Sequence, residues 1–272
     1  MPREFETGEG AWATLLEPLR VDPSRAAVLT DVDGTLAPIA ARAEEAAVPA
    51  AAREALARLS ERFGLVACVS GRQAEEARRL VGLDGIAYAG NHGLELLLPG
   101  DDSPRPDPSL AGRESEAPDF IATLDAGALL AAGLRCEDKG PIQALHWRGA
   151  ADEAHAEACA HEIAVKAGHA GLEPRWGRKV LELRPVGGGG KDAAVASLLT
   201  GGRIGGAVYA GDDRTDLDAF RRLRELAGAG ELATAICVGI VSPEAPPELP
   251  EESDLIVDGP EGWLTILQWL GE

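Results

Sequence analysis

The sequence predicts an α/β fold, in which a parallel sheet is flanked by helices and a smaller α+β module is inserted between its two halves. Short apolar runs alternate with helical segments in the first and last parts of the chain, the pattern of strands joined by right-handed crossovers. A Pro-rich stretch at 99–118 separates the first part from a segment with the order αββαββ. We therefore expect a core of residues 1–98 and 186–272, and a linker with the inserted module at 99–185.

The composition of the chain argues against some classes of binding partner. The 272-residue chain has a formal net charge of −19, which argues against nucleic acid and anionic membranes because both need a basic surface. Residues 1–6 lack the apolar core of a signal peptide, and no apolar run has the length of a membrane span. The cysteines form no C-x-x-C pair and predict buried thiols in a reducing, cytoplasmic compartment: Cys68, Cys136, Cys159 and Cys237.

The first strand of the sheet is predicted at 26–30, an apolar run short enough to be buried on both faces. Asp31 and Asp33 follow it, and Gly34 loosens the turn after them. In open α/β sheets ligands bind at the carboxyl ends of the strands, so both carboxylates should face a crevice there. Two acids at this spacing suggest a hard cation, with one acid attacking and the other moving a proton. A simple polar turn is the alternative interpretation.

The next elements repeat the strand–helix pattern. A helix begins at Pro49 with one apolar stripe, strands are predicted at 65–69 and 86–89, and a polar helix at 73–80 lies between them. Ser70 follows its strand as Asp31 follows the first, so both should reach the same edge of the sheet. A hydroxyl and free amides at a helix start suit a phosphate oxygen. Alternatively, Ser70 only caps the helix that follows.

The inserted module is predicted to be a small sheet with helices on one face, and such an insertion can close over a site and exclude water. Its elements are predicted at 119–132, 134–138, 142–147, 152–166, 172–176 and 180–184. Alternation along the second strand would place His146 and Arg148 on one face. Lys179, Glu182 and Arg184 are further polar candidates, and a solvated sheet face is the alternative for all five.

A glycine run at 187–190 precedes Lys191 and invites comparison with a nucleotide-binding loop. Pro185 stands where that motif has its first glycine, and Asp192 stands where a hydroxyl should hold the metal, so we reject this interpretation. The run instead predicts a re-entry into the core that delivers Lys191 to the start of a helix at 192–199. A lysine there can neutralise a phosphoryl oxygen and the attacking carboxylate together. An exposed surface lysine is the alternative.

The last polar cluster follows a predicted strand at 207–210. Asp212, Asp213 and Asp216 lie at its carboxyl end, where their charge is costly without a cation or hydrogen bonds. Mg²⁺ fits, because it is bound through one or two carboxylates together with water and substrate phosphate. For Asp213 or Asp216 a helix N-cap is the alternative. Two strands and a terminal helix complete the sheet, at 235–240, 255–257 and 262–270.

Taken together, these motifs resemble a known family. Asp-Val-Asp-Gly-Thr-Leu at 31–36 resembles the first motif of the haloacid dehalogenase superfamily, most of whose members are Mg-dependent phosphohydrolases. With the later motifs, the chain resembles the trehalose-6-phosphate phosphatases over about residues 26–258. The motifs are Val-Ser-Gly-Arg at 69–72, Gly-Asn-His-Gly-Leu-Glu at 90–95, Leu-His-Trp-Arg at 145–148, Lys-Val-Leu-Glu-Leu-Arg-Pro at 179–185, Lys191, and Gly-Asp-Asp-Arg-Thr-Asp at 211–216.

The resemblance implies a Rossmann-like core, an inserted cap of the C2 type, one Mg²⁺, and hydrolysis of trehalose 6-phosphate. It implies Asp31 as nucleophile and Asp33 as general acid and base, with Ser70 and Lys191 on the phosphoryl oxygens. The implied metal site comprises Asp31, the carbonyl of Asp33, Asp212 and Asp213, with the division of roles between Asp213 and Asp216 left open. The implied substrate contacts are Gly71, Arg72, Asn91, His92, Arg148, Lys179 and Glu182.

Three alternatives to this activity remain. A phosphatase for another sugar phosphate, such as sucrose phosphate or a glucosyl- or mannosyl-glycerate phosphate, would keep every core residue and differ in the inserted module. A phosphomutase would return the phosphoryl group to a sugar, which Asp33 and the large module disfavour. A non-catalytic sensor should lack the nucleophile or the metal acids. In each case the expected partner is a small sugar phosphate, and we expect a monomer.

Overall fold

The computed structural model describes residues 9–40, 45–177, 179–187, 189–201, 203–243 and 245–272. Residues 1–6, on which the predicted absence of a signal peptide depends, and Gly188 of the glycine run lie outside these ranges. Within them, no helix combines the length and the apolar character that crossing a bilayer requires.

Within the described ranges, helices and strands alternate along most of the chain. The helices are α1 (Glu9–Val21), α2 (Ala50–Ser60), α3 (Ala74–Val81), α4 (Glu116–Ala122), α5 (Ala126–Ala131), α6 (Glu153–His169), α7 (Lys191–Leu199), α8 (Arg214–Gly228) and α9 (Gly259–Leu270). The strands are β1 (Ala26–Thr30), β2 (Leu65–Val69), β3 (Ala87–Gly90), β4 (Glu95–Leu97), β5 (Arg105–Pro106), β6 (Arg135–Lys139), β7 (Ile142–His146), β8 (Leu172–Gly177), β9 (Val180–Pro185), β10 (Gly206–Gly211), β11 (Thr234–Val241) and β12 (Leu255–Asp258).

Among the described residues, eight strands form one sheet in the order β12-β11-β10-β1-β2-β3-β4-β5. The pairs from β12 to β3 are parallel, and β4 pairs with β3 in the antiparallel sense. All five residues of β1 are buried, as expected for a central strand covered on both faces. The predicted α/β fold with a parallel sheet is confirmed.

Helices cover both faces of this sheet and build two hydrophobic layers. One layer packs side chains of α1, α2 and α9, including Leu16, Leu56 and Trp263, against the sheet. The other packs α7 and α8, including Leu199 and Phe220. Each fully buried side chain of this size stabilises the fold by roughly 1.5–3 kcal/mol relative to exposure. The two layers hold the strand ends that carry the acids in a rigid frame.

A second compact unit begins at Pro106, and the first unit comprises the chain up to Arg105 and again from Gly189. The second unit contains an antiparallel sheet in the order β6-β7-β9-β8, with α4 and α6 packed on a core that includes Trp147 and Leu183. This is the predicted α+β module. The domain limits expected at 98/99 and 185/186 remain a prediction.

Two local predictions for the module are wrong. The single helix expected at 119–132 is two helices, because the Asp125 carboxylate accepts hydrogen bonds from Gly127 N and Ala128 N at 2.8 and 3.0 Å and starts α5 anew. The strand expected to carry both His146 and Arg148 ends at His146. Arg148 lies in a turn, because the chain reverses at Gly149 with φ +77°.

The cysteines are free thiols, as predicted, and Cys68 and Cys237 are buried. The prediction of burial is wrong for Cys136, which is exposed, and Cys159 is only partly buried. Cys136 lies on β6 at the edge of the second sheet, between Arg135 and Glu137, and most residues of this strand are exposed.

Candidate active site

Asp31 stands at the carboxyl end of β1, beside the end of β10. It is 4 % exposed, and its amide donates to the carbonyl of Ala210 at 2.9 Å. Its own carbonyl accepts from Thr30 Oγ1 at 2.8 Å, and Thr30 Oγ1 in turn accepts from Trp263 Nε1 at 3.0 Å. The backbone of Asp31 is therefore anchored both to the neighbouring strand and to the C-terminal helix.

The segment after Asp31 is a tight loop, as its Asp and Gly content predicts. The carbonyl of Val32 accepts from Leu36 N and Ala37 N at 2.9 and 2.8 Å. Gly34 has φ +92°, and a Cβ atom there would lie 2.1 Å from Asp212 Oδ2. Only glycine both adopts this conformation readily and leaves space for the second carboxylate. The tight loop that contains Gly34 is thus part of the acidic site.

Three carboxylates meet at this edge of the sheet. Among the described residues, Asp31, Asp212 and Asp216 can each offer an oxygen such that all three lie within 4.8 Å of one another. Asp212 Oδ1 also accepts a hydrogen bond from Thr35 Oγ1 at 3.0 Å. The parallel register of β1 and β10 brings these residues together, because carboxyl ends of parallel strands share one edge.

Asp216 is the most completely bonded of the three. Its Oδ1 accepts from Lys191 Nζ and from the Tyr209 hydroxyl, both at 2.7 Å. Its Oδ2 accepts from the amides of Asp212 and Asp213, both at 3.0 Å. Four donors account for the usual acceptor capacity of a carboxylate, so Asp216 is held as an internal anchor of the turn.

Asp213 is the N-cap of α8, the alternative interpretation considered from the sequence. Its side chain accepts from Thr215 N at 2.8 Å and Asp216 N at 3.1 Å and forms a capping box. Its Oδ1 lies 3.8 Å from Lys191 Nζ. Its assignment as a metal ligand stays a prediction.

Lys191 begins α7 and is 2 % exposed, so an exposed surface lysine is excluded. Its Nζ donates to Asp31 Oδ1 at 2.8 Å and to Asp216 Oδ1 at 2.7 Å. Burial acts to lower the pKa of Lys191, but the surrounding carboxylates, Asp213, Asp216 and Asp31, hold it well above its usual value. The ammonium therefore stays charged and bridges two acids.

The carboxylates of this cluster can carry more negative charge than one lysine can neutralise. Burial, opposed by Lys191 and reinforced by Asp212 and Asp213, raises the pKa of Asp31 to about 8. Burial, together with Asp216 and Asp213, raises the pKa of Asp212 to about 7. A divalent cation at the same place would remove this cost, and oxygen donors at this density suit Mg²⁺. The residues present therefore fit a metal site.

Ser70 lies at the end of β2, and its Oγ accepts from Arg72 N at 3.2 Å. It does not cap the following helix, because α3 has Gln73 at its N-cap position and Ala74 N donates to Glu95 Oε1 at 2.7 Å. The capping alternative for Ser70 is therefore wrong. Glu95 was missed as a functional candidate, since the sequence gives no spacing rule between a strand acid and a helix 21 residues earlier.

Asp33 is held by Arg72 in a two-pronged ion pair, with Nε to Oδ2 at 2.7 Å and Nη2 to Oδ1 at 2.8 Å. Arg72 also donates to Glu76 Oε1 at 2.5 Å. Hydrogen bonding to Asp33 raises the pKa of Arg72 further above its usual range. Unlike Asp31, Asp33 keeps 38 % of its side chain exposed, so it can reach solvent as well as the crevice.

Asn91 and His92 follow β3 and adopt left-handed backbone conformations, with φ 51° and 56°. Their amides donate to the carbonyls of Arg72 at 2.7 Å and Ser70 at 2.9 Å. A Cβ atom on Gly71 would lie 2.7 Å from the His92 imidazole, so the ring packs on the glycine. The first unit thus brings the predicted substrate residues of both loops together.

The remaining predicted contacts belong to the second unit. Glu182 on β9 is 9 % exposed and accepts from Lys139 Nζ at 2.9 Å. Lys179 has φ 59° and donates to Glu153 Oε2 at 2.5 Å. Arg148 lies in the turn after β7. Within that unit, Glu182 and Lys179 are each paired with an oppositely charged side chain, which is also how polar groups are ordinarily satisfied.

Sequence reasoning also missed Tyr209. It lies in the apolar run that predicts β10, and it is fully buried. Its hydroxyl is the single polar side-chain group in the run 207–210 and bonds Asp216. That lone hydroxyl, three residues before Asp212, was the available signal.

Comparison with known proteins gives a consistent result. The family model described as trehalose-phosphatase matches residues 29–246. A trehalose-phosphate phosphatase of Mycobacterium avium is 36 % identical over 211 residues, covering 73 % of this chain and 51 % of that protein. A protein of Mycobacterium tuberculosis named as an uncharacterized glycosyl hydrolase is 34 % identical over 236 residues, covering 80 % of this chain and 17 % of that protein. The chain thus spans about half or less of these relatives.

Solved structures share the fold. The crystal structure of a trehalose-6-phosphate phosphatase related protein superimposes with a TM-score of 0.69 at 26 % identity, covering 90 % of this chain and 96 % of that one. The match extends over both compact units, so the inserted module is common to the two proteins.

Proposed function

The chain belongs to the trehalose-phosphatase family, and from this premise we propose that it is a Mg-dependent phosphatase that converts trehalose 6-phosphate to trehalose and phosphate. The observation that carries the proposal is the buried cluster in which Lys191 joins Asp31 to Asp216, with Asp212 beside them. A nucleophilic carboxylate, a fixed cation and a second acid are the parts that phosphoryl transfer through an enzyme carboxylate needs.

In the first proposed step, an oxygen of Asp31 attacks phosphorus and the bond from phosphorus to the sugar oxygen breaks. Asp33 gives its proton to that departing oxygen, which completes the released trehalose. In the second step water attacks the aspartyl-phosphate, Asp33 takes the proton of the water, and the bond from phosphorus to Asp31 breaks. The products are phosphate and the original carboxylate. Two displacements replace one difficult hydrolysis.

Mg²⁺ would be held by the carboxylates of Asp31 and Asp212 and the backbone carbonyl of Asp33, with Asp213 a further proposed member of the site. When bound, it supplies positive charge that offsets the repulsion between a carboxylate and a phosphate dianion. The raised pKa values of Asp31 and Asp212 support this assignment, because burial makes their negative charge costly without a cation. Asp216 serves as the anchor of the turn.

Ser70 and Lys191 are proposed to contact the phosphoryl oxygens, where negative charge must be stabilised during transfer. Gly71 exposes backbone beside Ser70, and its lack of a side chain leaves space that the His92 ring occupies. Arg72 orients Asp33 through its paired hydrogen bonds. In this assignment Arg72 acts on the reaction through Asp33 as well as through the substrate.

The sugar is proposed to be recognised by Asn91 and His92 of the first unit and by Arg148, Lys179 and Glu182 of the second. Polar and charged side chains of these types are suited to sugar hydroxyls, which both donate and accept hydrogen bonds. The family relationship supports the choice of trehalose 6-phosphate over other sugar phosphates. A small sugar phosphate is the only partner the proposal requires, and we propose that the protein acts as a cytoplasmic monomer.

The test is phosphate release from a panel of sugar phosphates that includes trehalose 6-phosphate, sucrose phosphate and glucosyl- and mannosyl-glycerate phosphates. Each compound is assayed with Mg²⁺ and with EDTA. We expect strong preference for trehalose 6-phosphate, with activity lost in EDTA. Metal-dependent release from another compound but not this one would contradict the substrate assignment. Release from none would contradict the phosphatase assignment itself.

A further inference from the structure

Tyr209 is a fully buried residue of β10 whose hydroxyl donates to Asp216 Oδ1 at 2.7 Å. Its ring lies edge-on to Phe220, with ring centroids 5.8 Å apart, so the surroundings are otherwise apolar. A buried hydroxyl without a partner is costly, and Asp216 satisfies it. The catalytic steps described above give Tyr209 no role.

The oxygen that Tyr209 contacts also sets the position of Lys191. Asp216 Oδ1 accepts from both groups, whereas Oδ2 is fixed by two backbone amides. Lys191 Nζ has three protons and gives one to Asp216 and another to Asp31 at 2.8 Å. The place of the ammonium between the two carboxylates therefore depends on where Oδ1 lies.

We propose that Tyr209 is a positioning residue: its hydroxyl holds Asp216 Oδ1 so that Lys191 is shared between Asp216 and the nucleophile Asp31. The inference rests on the proposed phosphatase function. Without the hydroxyl, Oδ1 accepts from Lys191 alone and attracts the ammonium more strongly. Lys191 then moves toward Asp216 and away from Asp31, which loses part of its orientation and part of the charge that faces the phosphoryl group.

A purely structural role is the competing explanation, since any buried tyrosine hydroxyl needs a partner. The chain contains a matched control, because it has two tyrosines. Tyr88 is buried in β3 of the same sheet, and its hydroxyl donates to the carbonyl of Leu83 at 2.6 Å. Replacement of either tyrosine by phenylalanine removes one buried hydroxyl and one hydrogen bond, but only Tyr209 bonds the acidic cluster.

The experiment compares wild type, Y209F and Y88F in trehalose 6-phosphate hydrolysis with Mg²⁺, and in urea unfolding with EDTA. Loss of groups that orient metal-site residues typically costs roughly 10- to 100-fold in activity, so we expect kcat of Y209F to fall by about that factor. KM should change little, because the hydroxyl does not touch the substrate. Y88F should keep wild-type kcat, while both variants shift the unfolding midpoint downward by similar amounts.

A third measurement needs neither substrate nor metal. Hydrogen exchange of the Asp212 and Asp213 amides, which donate to Asp216 Oδ2, should be faster in Y209F and unchanged in Y88F. Faster exchange with a lowered kcat supports the positioning role.

Two results overturn the inference. One is a wild-type kcat in Y209F, and the other is an equal loss of kcat in Y209F and Y88F at equal loss of stability. These results leave the proposed function intact when wild type is active. If wild type hydrolyses a different member of the sugar-phosphate panel, the same comparison is made with that compound. A wild type inactive on every member contradicts the proposed function and the positioning role with it.

Discussion

Asp31 is buried, although its proposed role as the nucleophile requires a negative charge. Burial raises its pKa to about 8 even though Lys191 opposes the shift, so the metal-free fold bears a cost for ionising this residue near neutral pH. Such a cost is characteristic of active sites, where stability is given up for chemistry. The residue is held in place by its neighbours, and we expect a bound cation to make its negative charge favourable.

The substitution Asp31→Asn should therefore abolish phosphate release without unfolding the protein. Asparagine keeps an oxygen that can accept from Lys191 but cannot form an acyl phosphate. Because the charged form of Asp31 is disfavoured by burial, the melting temperature of the variant in EDTA should equal or exceed that of wild type. Residual activity above roughly a few per cent of the wild-type rate would remove the nucleophile assignment.

Gly34 offers a second test at the scale of one residue. In Gly34→Ala, the new Cβ would lie 2.1 Å from Asp212 Oδ2, and φ +92° is unfavourable for alanine. Gly100→Ala is the matched control, because Gly100 has φ +88° and open space around the same position. We expect both variants to lose stability from backbone strain, roughly 1–3 kcal/mol. Only Gly34→Ala should also lose phosphatase activity, as measured by kcat; an equal effect on both would exclude a specific role for this close approach.

The sequence located several site residues because their signal is local. Asp31 and Asp212 each follow an apolar strand-length run, and parallel strands place such residues at one edge. Lys191 follows a re-entry loop, and its ammonium donates to Asp31 and Asp216. Glu95 was missed because its hydrogen bond joins β4 to the start of α3, which no local pattern encodes. Tyr209 was missed because its lone hydroxyl lies within an apolar run that predicts a buried strand.

At the scale of elements, α3 depends on a residue from outside the helix. Gln73 makes no side-chain capping bond, and the amide of Ala74 instead donates to Glu95 on β4. A Cβ atom on Gly90 would lie 2.1 Å from Ala74 N, so β3 and the helix start approach closely. The loop that carries Arg72 is thus fixed from two sides, and the geometry of its ion pair with Asp33 depends on this support.

Replacement of Glu95 tests that dependence. Glu95→Ala leaves the Ala74 amide without its acceptor and should lower the free energy of unfolding by about 1 kcal/mol, as for loss of a helix cap. Glu95→Gln is the control, because it keeps an oxygen that can accept this bond, and its loss should be smaller. Urea denaturation measures both. Equal stability of the two variants would show that the hydrogen bond contributes nothing to α3.

Prediction of the secondary-structure elements succeeded where burial dictates the pattern and failed where a helix cap or a glycine turn redirects the backbone. The parallel strands were found because both faces are covered, which requires short and continuous apolar runs. The segment 119–132 has helical composition throughout, yet Asp125 starts a new helix within it. Arg148 was placed on a strand by alternation, but the strand ends two residues earlier at His146 because Gly149 turns the chain.

At the scale of the whole molecule, the acidic residues are spread along the chain, but some of them also form one dense cluster. The formal net charge is −19, and most of the acidic residues are distributed along the chain. Three carboxylates are nevertheless concentrated beside one lysine at the edge of the main sheet. We expect the general acidity to disfavour nucleic acid and anionic surfaces, and the local excess of carboxylates to favour a small hard cation.

This contrast predicts that Mg²⁺ stabilises the entire fold. A ligand that binds only the native state adds RT ln(1 + [L]/Kd), which is about 2.7 kcal/mol at a concentration of 100 times Kd. The melting temperature of wild type should therefore rise with added MgCl₂ and return to its starting value in EDTA. Asp212→Asn should abolish the rise, because it removes a proposed ligand and part of the negative charge. Asp218→Asn is the control, since Asp218 lies on α8 with an exposed side chain paired to Arg221 and should leave the rise intact. An equal rise in all three proteins would mean that Mg²⁺ acts on the general surface charge, and the assignment of the metal to the acidic cluster would have to be abandoned.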